Sequence, residues 1–137
     1  MTRFCLTLAG ALALLSLPAR AQTPPPDTTI ALPTQWSTFY VVLLTHGPGY
    51  DAEQPAEDVR ALMQRHIQYQ LRLQQHGRAV AGGGFGQARE GLVGMTLLRA
   101  GSLEEAERLA RADPAVEAGR LAAEVFAWYV PAGRIPE

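Results

Sequence analysis

The stretch from residue 38 to residue 75 reads TFYVVLLTHGPGYDAEQPAEDVRALMQRHIQYQLRLQQ. Its opening residues are β-branched, aromatic and aliphatic, which predicts a strand over residues 38–45. The turn residues of the following HGPG end that strand. Pro55 suits the first turn of a helix, and apolar residues then recur at spacings of three and four, so the sequence predicts one amphipathic helix over residues 56–75.

Two further strands are predicted beyond this helix, which Gly77 is expected to end. The first covers residues 78–85 and is weakened by the glycines at 82–84, and the second covers residues 91–99. The link between them has the length of a hairpin connection. This part of the chain therefore adds a pair of antiparallel strands.

A capping box starts the second predicted helix. Ser102 is expected to cap it, and Glu105 to reach back to the Ser102 backbone. This helix is predicted to end near residue 112, where Asp113-Pro114 offers a second cap and a proline at a first helical position. A last strand over residues 121–130 follows the resulting extra turn.

The element order β-α-β-β-α-β predicts an α+β fold of the ferredoxin-like, split-βαβ type. It consists of one four-stranded antiparallel sheet with two helices on one face. The strands nevertheless read as apolar on both faces, since residues 41–44 are all aliphatic and the last strand carries Phe126 and Trp128 on one face and Val125 and Tyr129 on the other. A homodimer that packs sheet against sheet would bury the second face, and cover by an N-terminal segment is the alternative.

The first 21 residues have the three-part pattern of a secretory signal peptide. Arg3 supplies a positive start, residues 4–17 are apolar, and Ala-Arg-Ala at 19–21 suits a signal peptidase. The apolar run is shorter than the roughly 20 residues of a membrane span. We therefore expect a periplasmic or secreted protein with no stable membrane span after cleavage, and an uncleaved anchor is the alternative.

The remaining chain is expected to hold one domain. Residues 22–37 form a Pro-rich N-terminal tether, residues 38–131 the domain, and residues 132–137 a C-terminal tail. Cleavage would remove Cys5, the single cysteine, so neither a disulfide nor a thiol nucleophile is expected. The absence of lysine excludes a Schiff base, and a formal net charge of −1 indicates no nucleic-acid partner.

His66 and Asp113 are the candidate catalytic residues. His66 shares a helix face with Leu62 and Met63, so it points toward the sheet. It can reach Asp113 only if the two helices are offset along their axes. A histidine oriented by a carboxylate is a common proton-transfer device, whereas capping by Asp113 and core packing of His66 are the structural alternatives.

Other candidates concern ligand binding. His46 at a strand end, or an arginine such as Arg60, is expected to bind an anionic substrate. The glycines at 82–84 lack the G-K-[ST] of a phosphate loop and suit a turn or the close approach of a ligand. His66 and His76 are too far apart along the helix to share a metal ion, so neither metal nor cofactor is expected.

Several motifs of the domain are typical of one family when taken together: His66, Leu71, Leu73, Gly77, Ala81-Gly82, Gly94, Ser102-Leu-Glu-Glu-Ala106, Ala112-Asp113-Pro114 and Gly119. With them, residues 38–130 resemble the YCII-related family (YciI-like proteins). The resemblance implies a ferredoxin-like fold that dimerises into an α+β barrel, a relation to muconolactone isomerase-like proteins, and an active-site pair at His66 and Asp113. Some relatives are dehydrochlorinases of chlorinated hydroxyquinols without a known cofactor. Gly83 and Ala115 depart from the family pattern, which often has proline and an aromatic residue there.

These observations lead to two main functional hypotheses. The first is a cofactor-independent lyase or isomerase, with His66 as general acid or base and Asp113 orienting it. The second is a non-catalytic dimeric module that binds a small apolar or aromatic ligand in the same cleft. A haem- or metal-binding variant with His66 as ligand is a third hypothesis, because haem proteins also use dimeric ferredoxin-like barrels.

Overall fold

The computed structural model describes residues 30–135, apart from the side chain of Ala88. The chain divides into two compact units, Met1–Ala31 and Leu32–Glu137, and of the first unit only residues 30 and 31 are described, both exposed. The predicted signal peptide and residues 22–29 of the predicted tether lie outside the described residues. No helix among residues 30–135 is long and apolar enough to cross a membrane.

The second unit has the predicted α+β, ferredoxin-like architecture. Its four strands form one antiparallel sheet in the order β2-β3-β1-β4, and the helices pack on one face of it. The elements in chain order are β1 (Trp36–His46), α1 (Ala56–Gln75), β2 (Ala79–Arg89), β3 (Leu92–Leu98), α2 (Leu103–Arg111), α3 (Pro114–Glu117) and β4 (Leu121–Pro131).

The bounds of α1 agree with the prediction, whereas those of β2 do not. Gly77 has a φ of 68°, a left-handed conformation that ends the helix at little steric cost. The predicted end of β2 at residue 85 is wrong, because the strand continues to Arg89. Glu90 and Gly91 both have positive φ and form a two-residue turn that lets Arg89 pair with Leu92.

The capping box at the start of α2 is formed only in part as predicted. The Ser102 side chain accepts a hydrogen bond from the Glu105 backbone at 3.2 Å, as expected. The Glu105 carboxylate, however, accepts from the backbone N–H of Gly101 at 2.6 Å instead of that of Ser102. It also binds the Arg78 guanidinium, which ties α2 to the start of β2.

The main core lies between the sheet and the helices. Its members are mostly aliphatic side chains and alanines, and the buried ones are Tyr40, Val42, Leu44, Leu62, Leu73, Ala79, Leu98, Ala106, Ala110, Ala115 and Leu121. The small residues come mainly from α2 and α3, so these short elements can lie close to the sheet. This close packing brings the α2–α3 junction into the interior.

A second, smaller apolar cluster lies on the helix-free face of the sheet. Phe39, Leu97 and Val130 are buried there, and Ile135 of the tail packs against them. Register places Phe126 and Trp128 on the same face, where they remain 49% and 43% exposed. Residues 30–135 of one chain therefore leave part of this face uncovered.

Candidate functional site

Asp113 lies at the junction of α2 and α3, where it caps α3. One carboxylate oxygen, Oδ1, accepts a hydrogen bond from the backbone N–H of Ala115 at 2.9 Å, and Pro114 occupies the first turn. The capping role expected from Asp113-Pro114 is thus confirmed. Because Asp113 is only 1% exposed, the remaining lone pairs of its carboxylate face the interior and must find donors there.

The first of these donors is His66 of α1. Its ring nitrogen Nδ1 lies 2.9 Å from Oδ1 and 2.7 Å from Oδ2 of Asp113. α3 packs against α1, which brings the two side chains within hydrogen-bonding distance. An ionised carboxylate can only accept, so the Nδ1 atom carries the proton. That leaves Nε2 as the ring nitrogen with no hydrogen-bond partner among residues 30–135.

Gln70 and Thr96 extend this pair into a chain of hydrogen bonds, and sequence reasoning missed both. Gln70 Nε2 donates to Asp113 Oδ2 at 2.8 Å, and the Thr96 hydroxyl donates to Gln70 Oε1 at 2.9 Å. Since Asp113 requires a donor, the amide must turn its oxygen toward Thr96. The sequence signals were the four-residue spacing of His66 and Gln70 and the single hydroxyl within the apolar strand β3.

The His66 ring lies in the wall of a cavity of about 350 Å³ between α1 and the strands β2 and β3. None of the described residues that line it is acidic, and most are apolar or glycine. Aliphatic side chains, with Met63 and Met95, form one part of the wall, and the backbone at Gly82, Gly83, Gly84 and Gly94 forms another. The cavity can therefore take a small ligand with a largely apolar body.

The two predicted substrate-binding residues differ in their distance from this cavity. Arg60 is exposed and does not line it. His46 does not line it either, but its ring stacks on Tyr50, which does, with 3.4 Å between ring centroids. The arginine in the wall is Arg120, whose guanidinium lies 4.8 Å from the centroid of the Tyr50 ring. Its place directly before β4 gave no sequence signal.

The described residues contain no group of three or more His, Cys, Asp or Glu side chains that could hold a metal ion. His66 contacts one titratable side chain, Asp113, through its Nδ1 atom. Because His66 lines the cavity and Asp113 holds its Nδ1 atom, the chemistry that this geometry allows is proton transfer between Nε2 and a bound molecule.

Tyr69 is a further titratable group near this site. Burial first, and then the negative charge of Asp113, raises the pKa of its hydroxyl above the ordinary value of 10.0, while the charge of Arg72 acts in the opposite direction. The hydroxyl donates to the Leu109 carbonyl at 2.8 Å, which links α1 to α2. Only the neutral form can make this bond.

The contribution of Tyr69 to stability is therefore expected to depend on pH. A group whose pKa is raised by folding contributes fully below its unfolded pKa and loses that contribution as pH rises through the folded value. The free energy of unfolding should differ most between the natural protein and Tyr69→Phe near pH 8, and the difference should shrink by about pH 11. Urea unfolding at a series of pH values measures this, and a difference that stays constant contradicts it.

Comparison with known proteins adds a family match to this geometry. The sequence profile of the YCII-related domain matches residues 38–129. No curated protein matches the chain. A solved structure of 5-chloro-2-hydroxyhydroquinone dehydrochlorinase from Burkholderia phenoliruptrix AC1100, in complex with 2,5-dihydroxybenzoquinone, is 20% identical to this chain, with a TM-score of 0.48. That match covers 66% of this chain and 92% of the dehydrochlorinase.

Proposed function

Because the chain belongs to the YCII-related domain family, we propose that its domain is a cofactor-independent enzyme of the lyase or isomerase type, with His66 as its proton carrier. One observation supports this most strongly: both oxygens of the buried Asp113 lie within hydrogen-bonding distance of Nδ1 of His66, and His66 lines a largely apolar cavity. A core histidine that only fills space has no need to border a cavity in this way.

In the proposed reaction, His66 Nε2 removes a proton from a carbon of the substrate that a neighbouring carbonyl acidifies. The electron pair of that C–H bond then expels a leaving group in a lyase, or moves along the substrate in an isomerase, where His66 returns the proton to another carbon. Asp113 holds the ring in place and stabilises the imidazolium that forms in between. The apolar wall keeps water from competing for the proton.

The proposal is tested by incubating the purified protein in D2O with two probes, a chlorinated hydroxyquinol and an unsaturated lactone. We expect chloride release from the first probe or incorporation of solvent deuterium into the second. His76→Ala is the matched control, because His76 is exposed directly after the last residue of α1 and does not line the cavity. It should keep the activity that His66→Ala loses.

The apolar wall of the cavity also favours the second candidate function, a module that binds a small aromatic ligand without converting it. In that case His66 and Asp113 only fix the shape of the pocket. Two results together would favour this function over catalysis. The natural protein and His66→Gln would bind an aromatic probe equally strongly, and neither the chlorinated hydroxyquinol nor the lactone would be turned over.

We further propose that the domain acts as a homodimer that buries the helix-free face of the sheet. Light scattering at micromolar concentration should then give twice the mass of one chain, and Trp128→Glu should reduce it to that of a monomer, because a charge would enter an apolar interface. Tyr129→Glu is the matched control, since Tyr129 is 65% exposed and pairs with Thr38 on the opposite face. A natural protein that is monomeric, or an equal effect of both changes, contradicts the proposal.

Export to the periplasm or beyond is also proposed, on the strength of the pattern in residues 1–21. Expression of the full-length gene product in a bacterium should yield a soluble periplasmic protein whose N-terminus is Gln22, as cleavage after Ala21 requires. Mass spectrometry of the intact protein measures this. A product that retains Met1 and stays in the membrane fraction would support the uncleaved anchor instead.

A further inference from the structure

Arg120 is the cationic side chain in the wall of the cavity, and it is half-buried there. In residues 30–135, no carboxylate lies within ion-pairing distance of it. Its Nη1 donates to the Tyr50 carbonyl at 3.2 Å, and its other N–H groups have no acceptor in the described structure. A partly buried guanidinium without an acidic neighbour is an unneutralised charge, which favours an anion in the adjoining cavity.

The position of Arg120 is fixed before any ligand arrives. The loop after β1 is hydrogen-bonded to its backbone, since Gly47 N–H donates to the Arg120 carbonyl at 2.9 Å and Gly49 N–H to the Gly119 carbonyl at 2.8 Å. The Tyr50 ring then supports the guanidinium. Little conformational freedom is lost when such a side chain binds an anion, which increases affinity.

The rest of the cavity determines what kind of molecule can carry the anionic group. Glycines at 82–84 leave bare backbone along one wall, and Ile67 and Leu71 of α1 line the cavity as well. A surface without side chains suits the flat face of an aromatic or conjugated molecule. The described lining holds no acidic residue, and the Asp113 carboxylate behind it is hydrogen-bonded to His66, Gln70 and the Ala115 backbone.

We propose that Arg120 binds the anionic group of the substrate, and that this substrate is a small aromatic or conjugated monocarboxylate whose apolar body lies beside His66. This proposal builds on the proton-transfer function and names the class of molecule on which it acts. Arg120 takes the part that was expected of Arg60 from the sequence. It is assigned to binding, and His66 alone is assigned to proton transfer.

Binding of benzoate and of its neutral analogue benzamide, measured by calorimetry, tests this proposal. The natural protein should bind benzoate more tightly than benzamide. Arg120→Met should weaken benzoate binding by at least about tenfold, which corresponds to about 1.4 kcal/mol, and leave benzamide binding unchanged. Arg60→Met is the matched control and should bind both probes as the natural protein does.

Two further variants make the outcome decisive. Arg120→Lys keeps the positive charge but loses the paired donors of the planar guanidinium, so it should still prefer benzoate, with a weaker preference. This variant replaces Arg120→Met in the test if Arg120→Met does not fold. His66→Gln should lose turnover but keep the preference for benzoate over benzamide, because Arg120 is unchanged, so loss of turnover and loss of anion recognition are separate results. Benzoate affinity that is unchanged in Arg120→Met, or a natural protein without a preference for benzoate, overturns the proposal.

Discussion

Asp113→Ala is expected to cause the largest loss of stability of any single change at the site, about 3 kcal/mol or more. The carboxylate is buried and accepts hydrogen bonds from three groups: the Ala115 backbone, the Gln70 amide and the His66 ring. Loss of a helix cap costs about 1 kcal/mol, and each buried donor left without an acceptor costs about 1–3 kcal/mol. These costs overlap, because the neighbouring side chains can rearrange.

Urea unfolding of Asp113→Ala measures this loss, with Asp51→Ala as the matched control. Asp51 is exposed in the loop before α1, and its removal should change the free energy of unfolding by no more than about 0.5 kcal/mol. The loss of stability in Asp113→Asn should lie between those of Asp113→Ala and Asp51→Ala, since an amide keeps one acceptor oxygen but offers a donor in place of the other. If Asp113→Ala is as stable as the control, the hydrogen bonds that Asp113 accepts do not stabilise the fold.

His66→Ala is expected to have the largest effect on activity. Proton transfer by a positioned side chain contributes about 10²–10⁴-fold to a rate, so kcat should fall by that amount while KM changes little. The fold should survive with some loss of stability, because the buried Asp113 carboxylate keeps its hydrogen bonds from the Ala115 backbone and the Gln70 amide. Asp113→Asn should lower kcat as well, since an amide can donate to Nδ1 and so no longer holds the proton there.

Steady-state kinetics on whichever probe turns over separates these effects. His76→Ala should keep the kcat of the natural protein, and Arg120→Lys should raise KM more than it lowers kcat. A His66→Ala variant with full kcat would remove His66 from the reaction, even if its stability were unchanged.

The local signals in the sequence were enough to predict the fold. Periodicity, Pro55 and Gly77 determine α1 within its own segment, so its predicted bounds agree with the structure. The end of β2 was predicted wrongly because residues 86–89 have no strand pattern of their own. They belong to the strand because the Glu90-Gly91 turn pairs Arg89 with Leu92 of β3. Gly94 likewise has a long-range reason, since a side chain there would meet the Gly83 carbonyl of β2 at 2.7 Å. A window along one strand cannot contain such pairing.

The candidate site could be predicted only in part, for the same physical reason. His66 and Asp113 each carry a local signal, an apolar helix face and a cap. Their contact, however, depends on how far α3 slides along α1, and side-chain packing sets this offset. Gln70 and Arg120 acquire their roles only from neighbours on other elements, the Asp113 carboxylate and the Tyr50 ring.

The most direct measurement of the central claim is the protonation state of the His66 ring in solution. Two-bond correlation spectra of 15N-labelled protein distinguish the two ring nitrogens, and His66→Gln identifies the signals of this residue. At a pH near 8.5, where an ordinary imidazole is neutral, the proton should reside on Nδ1, with Nε2 unprotonated and able to accept a proton from a ligand in the cavity. A proton on Nε2 in the ligand-free protein would contradict the account, because Asp113 would then not hold His66 in the form that the proposed reaction requires.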